Sequence, residues 1–156
     1  MSCEKIMIRD PKRVREDDTI GMAARELVDN HCISLPVVDK NGRFVGLFGI
    51  FDLLTLLVPR VAVIGNLLPN LQFLSDDDEV MRHKFADLRN NPLQRAVNRE
   101  APRVHPDTPL IEAIRLLCRN HLTIPVVEQG TDRLVGVISY WDAARYIIGP
   151  RAGAQP

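Results

Sequence analysis

Apolar residues recur at helical spacing in two stretches of this chain. Ile20, Ala23, Ala24, Leu27 and Val28 fall at i, i+3, i+4, i+7 and i+8, and Leu110, Ala113, Ile114, Leu117 and Cys118 repeat those steps. The spacing predicts two amphipathic helices, each laying one apolar stripe on a sheet. Asp18-Thr19 and Asp107-Thr108 stand where N-caps are expected, and Pro109 suits a first helical position. Asn30 and Asn120 are expected to end the helices in the left-handed region. After each helix come a β-type run (34–39 and 123–128), a turn at Gly42 or Gly130 and a second run (44–48 and 133–138). A closing helix then begins near Gly49 or Ser139.

The chain therefore repeats. Pro36 matches Pro125 at a separation of 89 residues, as Asp18-Thr19 matches Asp107-Thr108. Gly46 with Gly136, and Asp52 with Asp142, are separated by 90. The one-residue change is assigned to the turn, DKNGR against EQGTDR, where an insertion is best tolerated. One β-α-β-β-α unit leaves a sheet face bare, and two packed sheet to sheet cover both. The expected fold is α+β, with two pseudo-symmetric α/β-like units at 1–57 and 93–148 and a flexible tail at 149–156. Between the units, 58–92 form a connection in which Ser75 and the acids Asp76 to Glu79 read as the cap and first turn of an added helix. That helix would span about 75–90 and carry Val80, Met81, Phe85 and Leu88 on one side.

Composition narrows the function. At 156 residues the chain can bury a core without disulfides or metals. Lys+Arg and Asp+Glu are equal at 20 each, which argues against a nucleic-acid or acidic membrane surface as partner. The most apolar stretch, 53–68, is broken by Pro59 and Arg60 and is too short to span a bilayer, and the start lacks the apolar core of a secretion signal. Cys3, Cys32 and Cys118 form no CxxC pair and read as buried, reduced thiols, in keeping with a cytoplasmic protein. No HExxH, nucleophile elbow, phosphate loop or Cys/His cluster occurs, so neither an enzyme nor a metal site is expected. The acidic run lacks the glycine and distal glutamate of a calcium loop.

The chemistry that remains lies in two repeated motifs. ISLPVVD (33–39) and LTIPVVE (122–128) share a proline strand, and GLFGIFD (46–52) and GVISYWD (136–142) share a glycine-to-aspartate corner. Over about 3–57 and 93–148 the chain resembles a tandem pair of CBS domains, named after cystathionine β-synthase and often called a Bateman module. The resemblance implies a regulatory module whose clefts bind an adenosine-containing ligand: AMP, ADP or ATP, or S-adenosylmethionine or a dinucleotide. It implies that the corner aspartate takes the ribose hydroxyls and that residues just before the proline hold the adenine. The second-half site would comprise Thr108, Leu122, Thr123, Ile124, Pro125, Ser139 and Asp142, and the first-half site Thr19, Ile33, Ser34, Leu35, Pro36 and Asp52. A carboxylate in a first helical turn can accept two charge-assisted bonds from vicinal hydroxyls. Ser139-x-x-Asp142 is equally a capping box, and the two roles are compatible.

The chain departs from the family pattern in two places. Gly49 replaces the usual hydroxyl residue, and Ile33-Ser34 and Leu122-Thr123 stand where many phosphate-binding members carry His or Arg. Arg9 and Arg13, with their counterparts Arg99 and Arg103, are the substitute cations the sequence offers. Helices carrying Phe51, Leu53, Leu54, Leu57, Trp141, Tyr146 and Ile147 hold more apolar surface than a two-layer unit buries, which predicts a homodimer. No effector domain is evident, so a sensing role requires an unidentified regulated protein. The alternative is a ligand-free interaction or dimerisation scaffold.

Overall fold

A computed structural model describes residues 1–58, 77–120 and 122–150. Strands β1 (Ile8–Arg9) and β2 (Val14–Arg15) precede α1 (Ile20–Asp29). Then follow β3 (Ser34–Val38), β4 (Phe44–Gly49), α2 (Ile50–Leu57) and α3 (Asp77–Leu88). The second repeat supplies α4 (Leu110–Asn120), β5 (Ile124–Val127), β6 (Leu134–Ile138) and α5 (Tyr140–Ile148). Short 3₁₀ turns at Cys3–Lys5 and Leu93–Arg95 lead the two repeats.

The sheets run β2-β3-β4 and β1-β6-β5. β3 pairs antiparallel with β4 and parallel with β2, while β6 pairs antiparallel with both β1 and β5. Each sheet thus takes an edge from the other repeat: Ile8 pairs with Val137, and Asn98 bridges to Leu47. The exchange reaches the cores. Leu93 is buried with Ile20, Leu27, Leu35, Phe48 and Leu53, whereas Cys3 and Met7 are buried with Leu117, Ile124, Val126 and Ile138. A third cluster of Val38, Phe44, Leu47, Ala101, Val127 and Leu134 joins the two sheets.

Gly46 and Gly136 make the exchange possible. A Cβ at position 46 would lie 2.5 Å from the Asn98 carbonyl oxygen and would also meet Val97 Cγ1. At position 136 it would lie 2.8 Å from Met7 Sδ and 3.0 Å from the Ile8 carbonyl oxygen. Crossing segments also satisfy the open ends of α1 and α4. Ile20 and Gly21 N–H donate to the carbonyls of Asn91 and Arg89, and Leu110 N–H donates to that of Met1 (2.9 Å each).

Several sequence expectations change in the fold. The structural equivalents of Ile20 and Asn91 are Leu110 and Met1, so the helix starts are 90 residues apart. Thr19 caps α1 by accepting Met22 N–H (3.2 Å). Thr108 corresponds instead to Asp18, since Thr108 Oγ1 accepts His105 N–H (2.9 Å) as Asp18 Oδ2 accepts Arg15 N–H (2.8 Å). The repeats slip to 89 between the helices and the proline strands and return to 90 after the turn. Asn30 is not left-handed (φ −101°); His31 is (φ 52°), while the Asn30 side chain donates to the Glu26 carbonyl (2.8 Å). Val28 and Cys118 leave their apolar stripes and are exposed, because position i+8 lies about 80° round the helix from position i. Cys32 is half-buried, and only Cys3 of the three thiols is fully buried.

Helix α3 lies within the stretch expected for the added helix, with Val80 exposed and Phe85 packed against the first core. Ser75, its expected cap, and Asp76 fall outside the described residues. At the closing corners, Asp52 Oδ2 accepts Gly49 N–H (2.7 Å) and Asp142 Oδ2 accepts Ser139 N–H (2.8 Å). Only the second box is complete, with Asp142 N–H donating to Ser139 Oγ (3.3 Å).

Gly46→Ala should destabilise the protein by about 1–3 kcal/mol, and by more than Gly136→Ala, in urea denaturation. Backbone cannot yield at position 46, whereas the Met7 side chain can at position 136. Ser139→Ala should cost about 1 kcal/mol in the same assay. Ser139→Gly, which copies the first corner, should cost only a few tenths.

Candidate functional site

The pseudo-symmetry of the fold sets the start of β3 opposite the start of α5. Between them lies a cleft of about 290 Å³, near the lower end of small-molecule sites. The second repeat contributes Thr123, Val137, Ser139, Tyr140, Trp141 and Asp142. Facing them are Ile8, Pro11 and Lys12 and the run from His31 to Pro36 of the first repeat. Thr123 N–H donates to Ser34 Oγ (3.2 Å) and ties the two walls together; Ser34 is 4% exposed.

This arrangement redistributes the residues singled out in the sequence. Ile33, Ser34, Leu35 and Pro36, assigned to the first-half site, line the same cleft as Thr123, Ser139 and Asp142 of the second half. The grouping crosses the repeats because the strands before the prolines meet at the pseudo-two-fold axis. Thr19, Asp52, Thr108, Leu122, Ile124 and Pro125 are not among its lining residues. Ile124 and Pro125 are buried in the second sheet, Leu122 packs on the cluster between sheets, and Thr19, Thr108 and Asp52 bond local backbone N–H groups.

Asp142 is the best-defined polar group in the cleft. Oδ2 takes both Ser139 N–H and Ser139 Oγ–H (2.6 Å), while among the described residues Oδ1 has only Arg145 at 3.9 Å. The side chain is 10% exposed. One oxygen therefore closes the helix end, and the other has no hydrogen bond among the described residues. The adjacent helix N-terminus favours negative charge there.

Tyr140 and Cys32 stand nearby. Burial pushes the Tyr140 hydroxyl above its ordinary pKa, with the Cys118 thiol adding to the shift, so at neutral pH it is a donor. Burial likewise pushes the Cys32 thiol up, against the pull of the Lys12 ammonium.

Lys12 is the cation that sequence reasoning missed. Arg9, Arg13, Arg99 and Arg103, the residues considered for that task, pair with Glu4 (2.9 Å), Asp10 (2.5 Å), Glu16 (3.5 Å) and Asp132 (3.6 Å). The repeat gave no signal for Lys12, because the residue 90 positions on is Pro102. Tyr140 and Trp141 were visible only as members of the closing helix.

A larger groove of about 820 Å³ runs between α1, α2 and α3. Thr19 is the one candidate residue lining it. Its walls carry neither corner aspartate. Among the described residues, no group of three or more His, Cys, Asp or Glu is placed to hold a metal ion, and no helix is long and apolar enough to cross a membrane.

A comparison with curated proteins found no match. Among solved structures, CBSX2 in complex with AMP superposes with a TM-score of 0.69 at 20% identity, covering 94% of this chain and 96% of that one. A CBS domain-containing protein from Kribbella flavida gives 0.70 at 20% identity, covering 97% and 100%. The CBS domain pair of MJ0100, in complex with 5′-methylthioadenosine and S-adenosyl-L-methionine, gives 0.65 at 19%, covering 96% and 97%. At these identities the likeness is one of fold. The family model of the CBS domain matches residues 3–59 and again 93–149. The chain belongs to the CBS domain family, with two CBS domains in tandem.

Proposed function

We propose that this protein is a regulatory module that binds an adenosine-containing nucleotide in the Ser139/Asp142 cleft and signals its presence to a partner protein. The reading rests on one observation: Asp142, one of whose carboxylate oxygens has no hydrogen bond among the described residues, lines a cleft shared by the two repeats. Asp142 Oδ1 accepts from the ribose hydroxyls, in charge-assisted bonds of the stronger kind. The base lies against Ile33, Leu35 and Pro36, and Tyr140 and Trp141 offer aromatic surface beside it. Lys12 and His31 are the groups able to meet a phosphate. The ligands bound by CBSX2 and by the MJ0100 pair, AMP in the one and 5′-methylthioadenosine and S-adenosyl-L-methionine in the other, support the adenosine class. A module of this kind acts by binding, and its effect requires a regulated partner in the cytoplasm.

The two corners are unequal in this reading. Gly49 offers no hydroxyl beside Asp52, and the Asp52 corner is the weaker site. A ligand bridging β3 and α5 stabilises the packing of the two repeats, which is how occupancy would reach a partner.

Self-association is the second part of the proposal. Phe51 (65%), Trp141 (73%) and Ile147 (66%) are largely exposed, and Leu54, Tyr146 and Ile148 join them. Leu53 is buried in the core and Leu57 is half-covered by α3, so these two drop out of the expected patch. The remaining residues lie on α2 and α5 and suit a second copy of the chain.

Saturating AMP, at a hundredfold excess over its dissociation constant, should stabilise the protein by about 2.7 kcal/mol, seen as a rise of several degrees in the melting midpoint. Asp142→Ala should weaken AMP binding about ten- to hundredfold in calorimetry, and Asp52→Ala should do less. A flat response of the wild type to AMP, ADP, ATP and S-adenosylmethionine would leave the ligand-free scaffold as the function. Light scattering at micromolar concentration should report a dimer, and Ile147→Asp should lower the mass to that of one chain. A monomeric wild type rejects the self-association proposal and leaves the ligand proposal standing.

A further inference from the structure

The turn joining β3 to β4 meets the turn joining β5 to β6 at the seam between the repeats. Phe44 N–H donates to the Asp132 carbonyl (2.9 Å) and Leu134 N–H to the Gly42 carbonyl (3.1 Å). These are one bond seen twice, since both donor and acceptor positions differ by 90 residues. The pseudo-two-fold axis therefore passes between the residues they flank, Arg43 and Arg133, which form an antiparallel bridge.

Bonds that flank a pair, rather than join it, define the non-hydrogen-bonded kind, with Cα atoms about 4.5 Å apart and side chains close together on one face. Like charges placed directly opposite in this way destabilise the pairing. Both arginines are exposed, and among the described residues neither has an ion-pair partner.

The carboxylates of the two turns are engaged elsewhere. Asp39 Oδ1 accepts the N–H groups of Asn41 (2.8 Å) and Arg43 (3.0 Å). Asp132 lies 3.6 Å from Arg103, and Glu128 accepts the Thr131 hydroxyl (2.6 Å). Arg103, which holds Asp132, also lies against Phe44, its guanidinium 5.5 Å from the centre of the ring.

We propose that Arg43 and Arg133 form an anion site on the pseudo-two-fold axis and that its ligand is a phosphoryl group. Two guanidinium groups carry two charges and more donors than one carboxylate can accept, because a carboxylate is satisfied by a single fork. A phosphoryl group offers three oxygens and a charge near −2. Its binding turns the repulsion between the arginines into attraction to a shared centre. Each repeat supplies one arginine, so the site exists only while the two turns are docked, and an occupied site holds the seam closed. The site lies at the opposite end of β3 from Ser34 and does not depend on the adenosine cleft.

Two probes separate the sources of such a group: inorganic pyrophosphate, and a phosphoserine peptide beside its unphosphorylated form. Both are titrated by calorimetry at constant ionic strength into the full chain, with AMP present and absent. The expected result is saturable binding of at least one probe, insensitive to AMP. It should weaken tenfold or more in Arg43→Gln and again in the Arg43→Gln/Arg133→Gln double variant. Pyrophosphate binding alone identifies a free oligophosphate as the ligand, and binding of the phosphoserine peptide but not its unphosphorylated form identifies a protein-borne group. Absence of binding by the wild type, or equal binding by wild type and double variant, overturns the proposal, as does competition by AMP. Both substitutions are at exposed positions, and a melting midpoint no lower than that of the wild type confirms that the variants are folded.

Discussion

The fold depends on the close approach of each repeat's leading segment to the glycine of the other repeat's last strand. Asn98 can bridge Leu47, and Ile8 can pair with Val137, only because positions 46 and 136 carry no Cβ. From these two contacts follow the burial of Leu93 in the first core and of Cys3 and Met7 in the second. Neither repeat completes its core from its own residues, so the two are bound to fold together. The same exchange covers backbone that would otherwise be an open sheet edge and a bare helix start.

A composite site is the consequence. Once the strands before Pro36 and Pro125 meet at the axis, the start of β3 is brought beside the Ser139/Asp142 corner of the other repeat. The corner itself divides the labour of one carboxylate. Oδ2 closes the helix, and among the described residues Oδ1 has only a distant arginine. Capping thus uses one atom of Asp142 and fixes the side chain's direction.

Symmetry is broken where the connection returns. Helix α3 packs on α1 and α2, with Phe85 against the first core and the Arg89 carbonyl accepting Gly21 N–H. The residue equivalent to Gly21 is Ile111, which is 73% exposed. Among the described residues, one repeat therefore presents a helical layer covered by α3, and the equivalent position of the other is exposed.

The two-unit α+β architecture, the element order and the glycine-to-aspartate corners were legible from the sequence, because helix and strand periodicity and the doubled motifs are local properties of the chain. The repeat even marked Ser34, Thr123, Ser139 and Asp142. It could not say that they belong to one cleft, since that grouping depends on which segments cross between the repeats. The same limit explains Lys12, which has no counterpart at Pro102, and Thr108, whose hydroxyl closes a turn instead of capping a helix. Sequence determined what each repeat is made of. Tertiary structure decided which half completes the other, because backbone clearance at Gly46 and Gly136 and the burial of Leu93 and Cys3 are contacts between residues far apart in the chain.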